Sequence, residues 1–183
     1  MRTRNSVSGM TLTEVLVGVF LLAAGMTMAV PAFSGLMERV RLKSGTDALM
    51  TGLHLTRLEA IRRNGRVVLC KSASGQICTR GQGWEQGWIV FHDVNGNSAI
   101  DSDEDVLYRE PPMAPGLKVV GNSPVSNYVA YNGLGRTSLT SGAFQAGTIT
   151  VCLPATRTGD AYQIVINSYG RPRVARTLVE HCS

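Results

Sequence analysis

Acid–base and metal chemistry have little to work with in this 183-residue sequence. Its three histidines, His54, His92 and His181, lie far apart, and none stands in relay with a cysteine. No Gly-x-Ser-x-Gly, His-Glu-x-x-His or Gly-x-x-x-x-Gly-Lys pattern occurs, which speaks against a serine hydrolase, a zinc protease or a P-loop nucleotidase. The chain reads as a non-enzyme without a cofactor. Cys-x-x-Cys pairs are also missing, so the four cysteines lack zinc-site spacing. Only 17% of residues are charged against 44% apolar, a balance that excludes whole-chain disorder and suits one domain with an appendage. No internal repeat is visible.

The net charge is +5, or +3 if a leader carrying Arg2 and Arg4 is removed. This permits contact with nucleic acid or a membrane surface without demanding it. Its distribution is more informative. Residues 39–80 hold nine basic and two acidic groups, whereas residues 81–110 hold seven acidic groups and one arginine.

The N-terminus carries the strongest signal. Behind a short basic stretch, Val15 to Phe33 runs for 19 residues without a charge. At about 1.5 Å per residue, such a helix approaches the roughly 30 Å of a bilayer's hydrocarbon layer. A buried core helix is one alternative, but so long an uncharged run directly behind a short basic N-terminus argues against it; a secretory signal cleaved near Thr27-Met28-Ala29 is another, and Glu14 at the edge of the run does not suit it. Gly9-Met10-Thr-Leu-Thr-Glu14 resembles the type IV prepilin signature, in which a basic leader ends in Gly and a Glu is fifth in the mature chain. Met10 and Thr13 depart from the commoner, larger apolar residues of that signature. The resemblance implies cleavage after Gly9 by a prepilin peptidase and N-methylation of Met10. Glu14 then becomes an assembly residue, its buried carboxylate compensated by a neighbouring subunit's ammonium.

Downstream, Pro31 predicts a bend. Leu42, Thr46, Leu49, Leu53, Thr56 and Ala60 then recur at steps of three and four, with Arg39, Lys43, Asp47, Arg57 and Arg62 elsewhere on the helix. Asn64-Gly65 is a fitting stop. The expectation is a leader over 1–9 and one helix over 10–63. Residues 10–33 form its transmembrane or filament-core part, residues 34–63 its amphipathic part with a solvated basic face, and residues 64–183 a β-rich head. Seven or eight short β-branched or aromatic runs, from Val67-Val68-Leu69 to Tyr162–Ile166, predict antiparallel sheet in that head. The fold class is α+β, with the helix packed on an antiparallel, sandwich-like head. In an exported head, cysteines pair by default. Cys70 with Cys78 and Cys152 with Cys182 keeps partners in adjacent elements, the second bridge contributing about 3 kcal/mol.

Glu59-Ala-Ile-Arg62-Arg63, Val68-Leu69-Cys70, the Trp84–Asn97 stretch and Gly170-Arg171-Pro172-Arg173 resemble, in this order, landmarks of the FimT/GspH family of minor pilins and pseudopilins. The resemblance implies a long helix carrying a sandwich-like head, and a place among other pilins in a filament. Trp84 and Trp88 are expected to pack the sheet or the following loop. In an extended strand Arg171 and Arg173 share a face, with Pro172 marking an edge. In the FimT branch, a C-terminal GRxR motif implies binding of extracellular DNA for natural transformation. Arg176 and Arg157 are candidates to extend the patch, and four neutralised phosphates give a log–log salt slope of roughly −3.6 on duplex. Otherwise such edge arginines serve only to discourage strand aggregation.

Asp93, Asn95, Asn97, Asp101 and Glu104 fall at positions one, three, five, nine and twelve of a calcium-loop spacing. Ser98 stands where that loop requires Gly, and a polar hairpin loop is the preferred reading. The reading is a minor pilin of a type IV pilus, held in the inner membrane with its head in the periplasm and later displayed on the pilus. It primes assembly and captures DNA. The alternative is a GspH-like pseudopilin of a type II secretion system; a membrane-anchored calcium module ranks last.

Overall fold

A computed structural model describes residues 9–154 and 159–182, without the side chains of residues 27–32 and 34. The leader before Gly9, and Arg157, lie outside the described residues. The chain divides into two compact units, one up to Arg39 and one from Val40 to Ser183. A single helix, α1, runs Leu12–Arg63, its helical assignment uninterrupted at Pro31. Among the described residues no helix is long and apolar enough to cross a membrane; the uncharged run Val15–Phe33 includes positions whose side chains lie outside the description. α1 ends in a Schellman motif. Asn64, in the left-handed region at φ 48°, donates its N–H to the Ile61 carbonyl, and Gly65 donates to Ala60.

In the second unit, Leu42, Thr46, Leu49, Leu53, Thr56 and Ala60 are all buried. The amphipathic length of α1 therefore belongs to the same packed body as the strands. Thr46 and Thr56, polar residues on this face, donate their hydroxyls back to the Leu42 and Gly52 carbonyls, which removes the cost of burying them.

Eight strands lie among the described residues: β1 (Val67–Lys71), β2 (Trp88–His92), β3 (Val106–Glu110), β4 (Lys118–Gly121), β5 (Tyr128–Tyr131), β6 (Gly147–Cys152), β7 (Gly159–Ile166) and β8 (Pro172–Val179). They form two four-stranded sheets, in the orders β3-β2-β1-β5 and β4-β6-β7-β8, and every pairing is antiparallel. Leu49, Leu53 and Ala60 of α1 share one core with Val67, Leu69 and Val90 of the first sheet and Ile149, Ile164 and Ile166 of the second. Trp84 and Trp88 sit in that core, fully buried, and the Trp84 indole N–H donates to the Val125 carbonyl. The opposite face of β1 and β2 is covered as well. Val68, Cys70, Ile89 and Phe91 pack under Ile100 and the Cys70–Cys78 bridge. Burial on both faces explains why β1 and β2 are nearly continuous apolar runs rather than alternating ones. A second disulfide joins Cys152 in β6 to Cys182 beyond β8.

Candidate nucleic-acid interface

β8 is an edge strand, paired only with β7. Its first residue, Pro172, is buried opposite Ile166, while Arg171 and Arg173 on either side of it are exposed. The turn that delivers Arg171 is specific. Asn167 Oδ1 accepts the backbone N–H groups of Tyr169 and Arg171, both at 3.1 Å, and Gly170 N–H donates to the Asn167 carbonyl at 2.9 Å. Between β5 and β6 the same turn occurs again. Asn132 Oδ1 accepts from Leu134 and Arg136 at 3.1 Å, and Gly135 N–H donates to the Asn132 carbonyl at 2.8 Å. The sequence thus spells Asn-x-x-Gly-Arg twice, at Asn132–Arg136 and Asn167–Arg171. This short internal repeat is the sequence signal that marks Arg136 as the counterpart of Arg171.

The two turns touch through their glycines. Gly170 has φ 72°, and a Cβ there would lie 2.5 Å from the Gly135 carbonyl oxygen. Gly135, at φ 69°, leaves no room for a Cβ beside Arg57 and Ile61. Two side-chain-free positions in the left-handed region therefore let the backbones meet, and an arginine follows each. The Arg57 Nε–H donates to the Gly135 carbonyl at 3.0 Å and brings a third guanidinium.

The result is a cleft of about 520 Å³ lined by Arg57, Arg136, Arg171 and Arg173 with Leu134, Asn167 and Tyr169. Among the described residues no carboxylate lines it. The Arg136 guanidinium lies 5.5 Å from the Tyr169 ring centroid, a cation–π contact. Beneath the cleft, Tyr131 is fully buried with no hydrogen-bond partner for its hydroxyl among the described residues; burial pushes its phenol pKa up. Arg157, one expected extension of the patch, lies outside the described residues, while Arg57 and Arg136 line the cleft beside the two expected arginines. Arg176 does not join it: it stands three residues beyond Arg173, on the other face of β8, and binds Asp160 at 2.8 Å. Arg62 and Arg63, on the basic end of α1, are occupied by Glu59 at 2.7 and 3.0 Å.

In the loop with calcium-site spacing, the side-chain oxygens meet protein donors. The β1–β2 register sets Arg66 beside Asp93, and its guanidinium binds the buried carboxylate at 2.8 Å while also reaching Ser98 and Ser138. The remaining lone pairs of Asp93 accept N–H groups of Gly96, Asn97 and Ser98. Asn95 and Asn97 turn their amide N–H groups to Asp101, and Glu104 accepts from Val94 and Asp101 backbone. The oxygens are spent on protein donors, and no cluster of metal-binding side chains exists among the described residues. Ser98 does adopt the left-handed turn, at φ 59°. The loop is a self-satisfied polar hairpin with an arginine as its internal cation.

In the first unit, Gly9 and Met10 are exposed, and Glu14 closes a capping box. Thr11 N–H and its hydroxyl each donate to Glu14 Oε2 at 2.9 Å, and Glu14 N–H faces Thr11 Oγ1 at 3.4 Å. The Thr-x-x-Glu spacing was there to be read, and it gives Glu14 a local role that the assembly reading overlooked.

The model of the family described as type II transport protein GspH matches residues 45–170, more than half of the chain. Over 174 residues the chain is 29% identical to Pilin-like protein PilA1 of Thermus thermophilus, covering 91% of this chain and 97% of that one. Its fold is similar to that of the type IV minor pilin FimU of Pseudomonas aeruginosa, with TM-score 0.61 at 16% identity over 80% of this chain and 98% of that chain. A second crystal form of FimU gives 0.56 at 15% identity, over 78% and 100%. This chain therefore belongs to the GspH family, as a structural minor pilin or pseudopilin of the type IV pilus or type II secretion kind and not an enzyme.

Proposed function

We propose that the chain is a minor pilin of a type IV pilus that binds extracellular DNA through its arginine cleft in natural transformation. The observation that carries this reading is the convergence of Arg57, Arg136, Arg171 and Arg173 from three separate segments on one cleft, with no carboxylate beside them among the described residues. Guanidiniums are weakly hydrated, planar and permanently charged, which suits bidentate contact with phosphate. Edge arginines that only deter strand pairing need no such convergence. Contacts to the backbone carry no sequence code, so binding is indifferent to sequence and steeply salt-dependent.

In the same reading, a prepilin peptidase cleaves after Gly9, Met10 is methylated, and the segment following it resides in the inner membrane before assembly with other pilins. Glu14 then exchanges its Thr11 partners for the new ammonium of a neighbouring subunit. The head faces the periplasm and afterwards the pilus surface, where the protein helps to prime the filament. Mobility-shift titrations of the full chain in detergent test the DNA reading. Arg171→Gln and Arg173→Gln weaken DNA binding, and unchanged affinity rejects it. The family description favours a second reading, a pseudopilin of a type II secretion system. A deletion strain that loses secretion and keeps DNA uptake decides for it.

A further inference from the structure

The cleft is not purely cationic, and its large apolar residues occupy matching places in the two turns. The third residue of each Asn-x-x-Gly-Arg turn is large and exposed: Leu134 is 77% exposed and Tyr169 62%. Arg136 and Tyr169 also line a second hollow of about 380 Å³, together with Asn132, Ser138 and Phe144, the last 69% exposed. A row thus runs from Arg171 and Arg173 over Tyr169 and Arg136 to Phe144, alternating guanidinium with ring.

Duplex DNA presents phosphate and sugar outward and keeps the faces of its bases stacked inside, so rings beside the arginines gain nothing from it. A single strand offers a phosphate and a free π-face at every nucleotide, which is the alternation this surface displays. The Arg136–Tyr169 contact already sets a guanidinium against the ring before any ligand arrives.

We propose that this surface takes single-stranded DNA, with phosphates on Arg171, Arg173 and Arg136 and bases stacked on Tyr169 and Phe144. The proposal rests on the DNA reading above and narrows it to unpaired strands or ends.

Fluorescence anisotropy of the full chain in detergent tests it with three labelled probes: one oligonucleotide, its duplex, and an abasic strand of the same length. The intact single strand binds tightest. Phe144→Ala and Tyr169→Ala each weaken it by about tenfold and leave the duplex within about twofold, on the usual worth of one base–aromatic stack. Tyr169→Ala also releases Arg136, so Tyr169→Phe, which retains affinity, and Phe144→Ala separate stacking from charge. Unshifted melting of each variant excludes misfolding. Duplex bound as tightly as the single strand, an abasic strand bound equally well, or aromatic variants that weaken both forms alike overturns the proposal. If those results come with a duplex weakened by Arg171→Gln, the DNA reading survives alone; if no probe binds, both fall.

Discussion

Gly170→Ala isolates the contact between the two Asn-x-x-Gly-Arg turns. The methyl group meets two costs. Holding alanine at φ 72° costs about 1–2 kcal/mol. The new Cβ would also lie 2.5 Å from the Gly135 carbonyl oxygen, 2.9 Å from Tyr131 Cε1 and 3.2 Å from Thr137 N. Two of these are backbone atoms, so the turns must part, at about 1–3 kcal/mol for overpacking. The total of roughly 2–5 kcal/mol corresponds to a fall in melting midpoint of roughly 5–15 °C in a chain of this size. Gly142→Ala is the matched control, because Gly142 has φ 84° and nothing within 4 Å of its would-be Cβ. It retains only the conformational cost. Thermal unfolding of both full-length variants with disulfides intact gives the comparison. If Gly170→Ala is no less stable than Gly142→Ala, the glycine-to-glycine contact does not hold the arginine cleft together.

Four further outcomes follow from the geometry. On duplex DNA, the four-arginine cleft gives a log–log salt slope of about −3.6, and the Arg171→Gln/Arg173→Gln double variant halves it to about −1.8; an unchanged slope in a salt titration places the phosphates elsewhere. Arg66→Met strands the buried Asp93 carboxylate and loses about 3–5 kcal/mol in denaturant unfolding, while excess calcium shifts the midpoint of the native chain not at all. Arg62 and Arg63 hold the Glu59 carboxyl below its ordinary value of 4.5, so its stabilisation is present above that pH and is lost as acid protonates the folded form. The melting advantage of the native chain over Glu59→Gln therefore narrows below about pH 4.5, and a constant gap across that range contradicts the pairing. Tyr131→Phe removes a buried hydroxyl without a partner among the described residues and leaves stability unchanged or higher by about 1 kcal/mol; a large loss in unfolding free energy means that the hydroxyl is bonded.

Periodicity revealed what depends on neighbours in sequence. Every residue of α1 that the spacing marks is buried, because a helix repeats every 3.6 residues whatever it packs against, and Gly45 and Gly52 are buried on the same face beside them. The short apolar runs coincide with β1 to β7 for the same reason. Fidelity ended where distant segments meet. Arg57 looked like one charge on a solvated helix face, and only the loop 78 residues away turns it into the cleft. Arg176 looked equivalent to Arg173, yet an odd separation along β8 sends it to the opposite face, where Asp160 waits. The oxygen spacing of Asp93–Glu104 was legible, but its cation was not, since Arg66 arrives through strand register. In the repeated Asn-x-x-Gly-Arg turn the information was local and was simply overlooked.

The Cys152–Cys182 bridge has a mechanical consequence. A load pulling on Arg171 and Arg173 enters β8 at its N-terminal end, where a marginal strand can unzip from β7 one rung at a time. Peeling then travels toward Val179, and just beyond it the bridge rivets the tail to β6, two strands inward. A tethered polymer that hauls on this head can loosen the hem but cannot tear it off, because the last stitch is covalent.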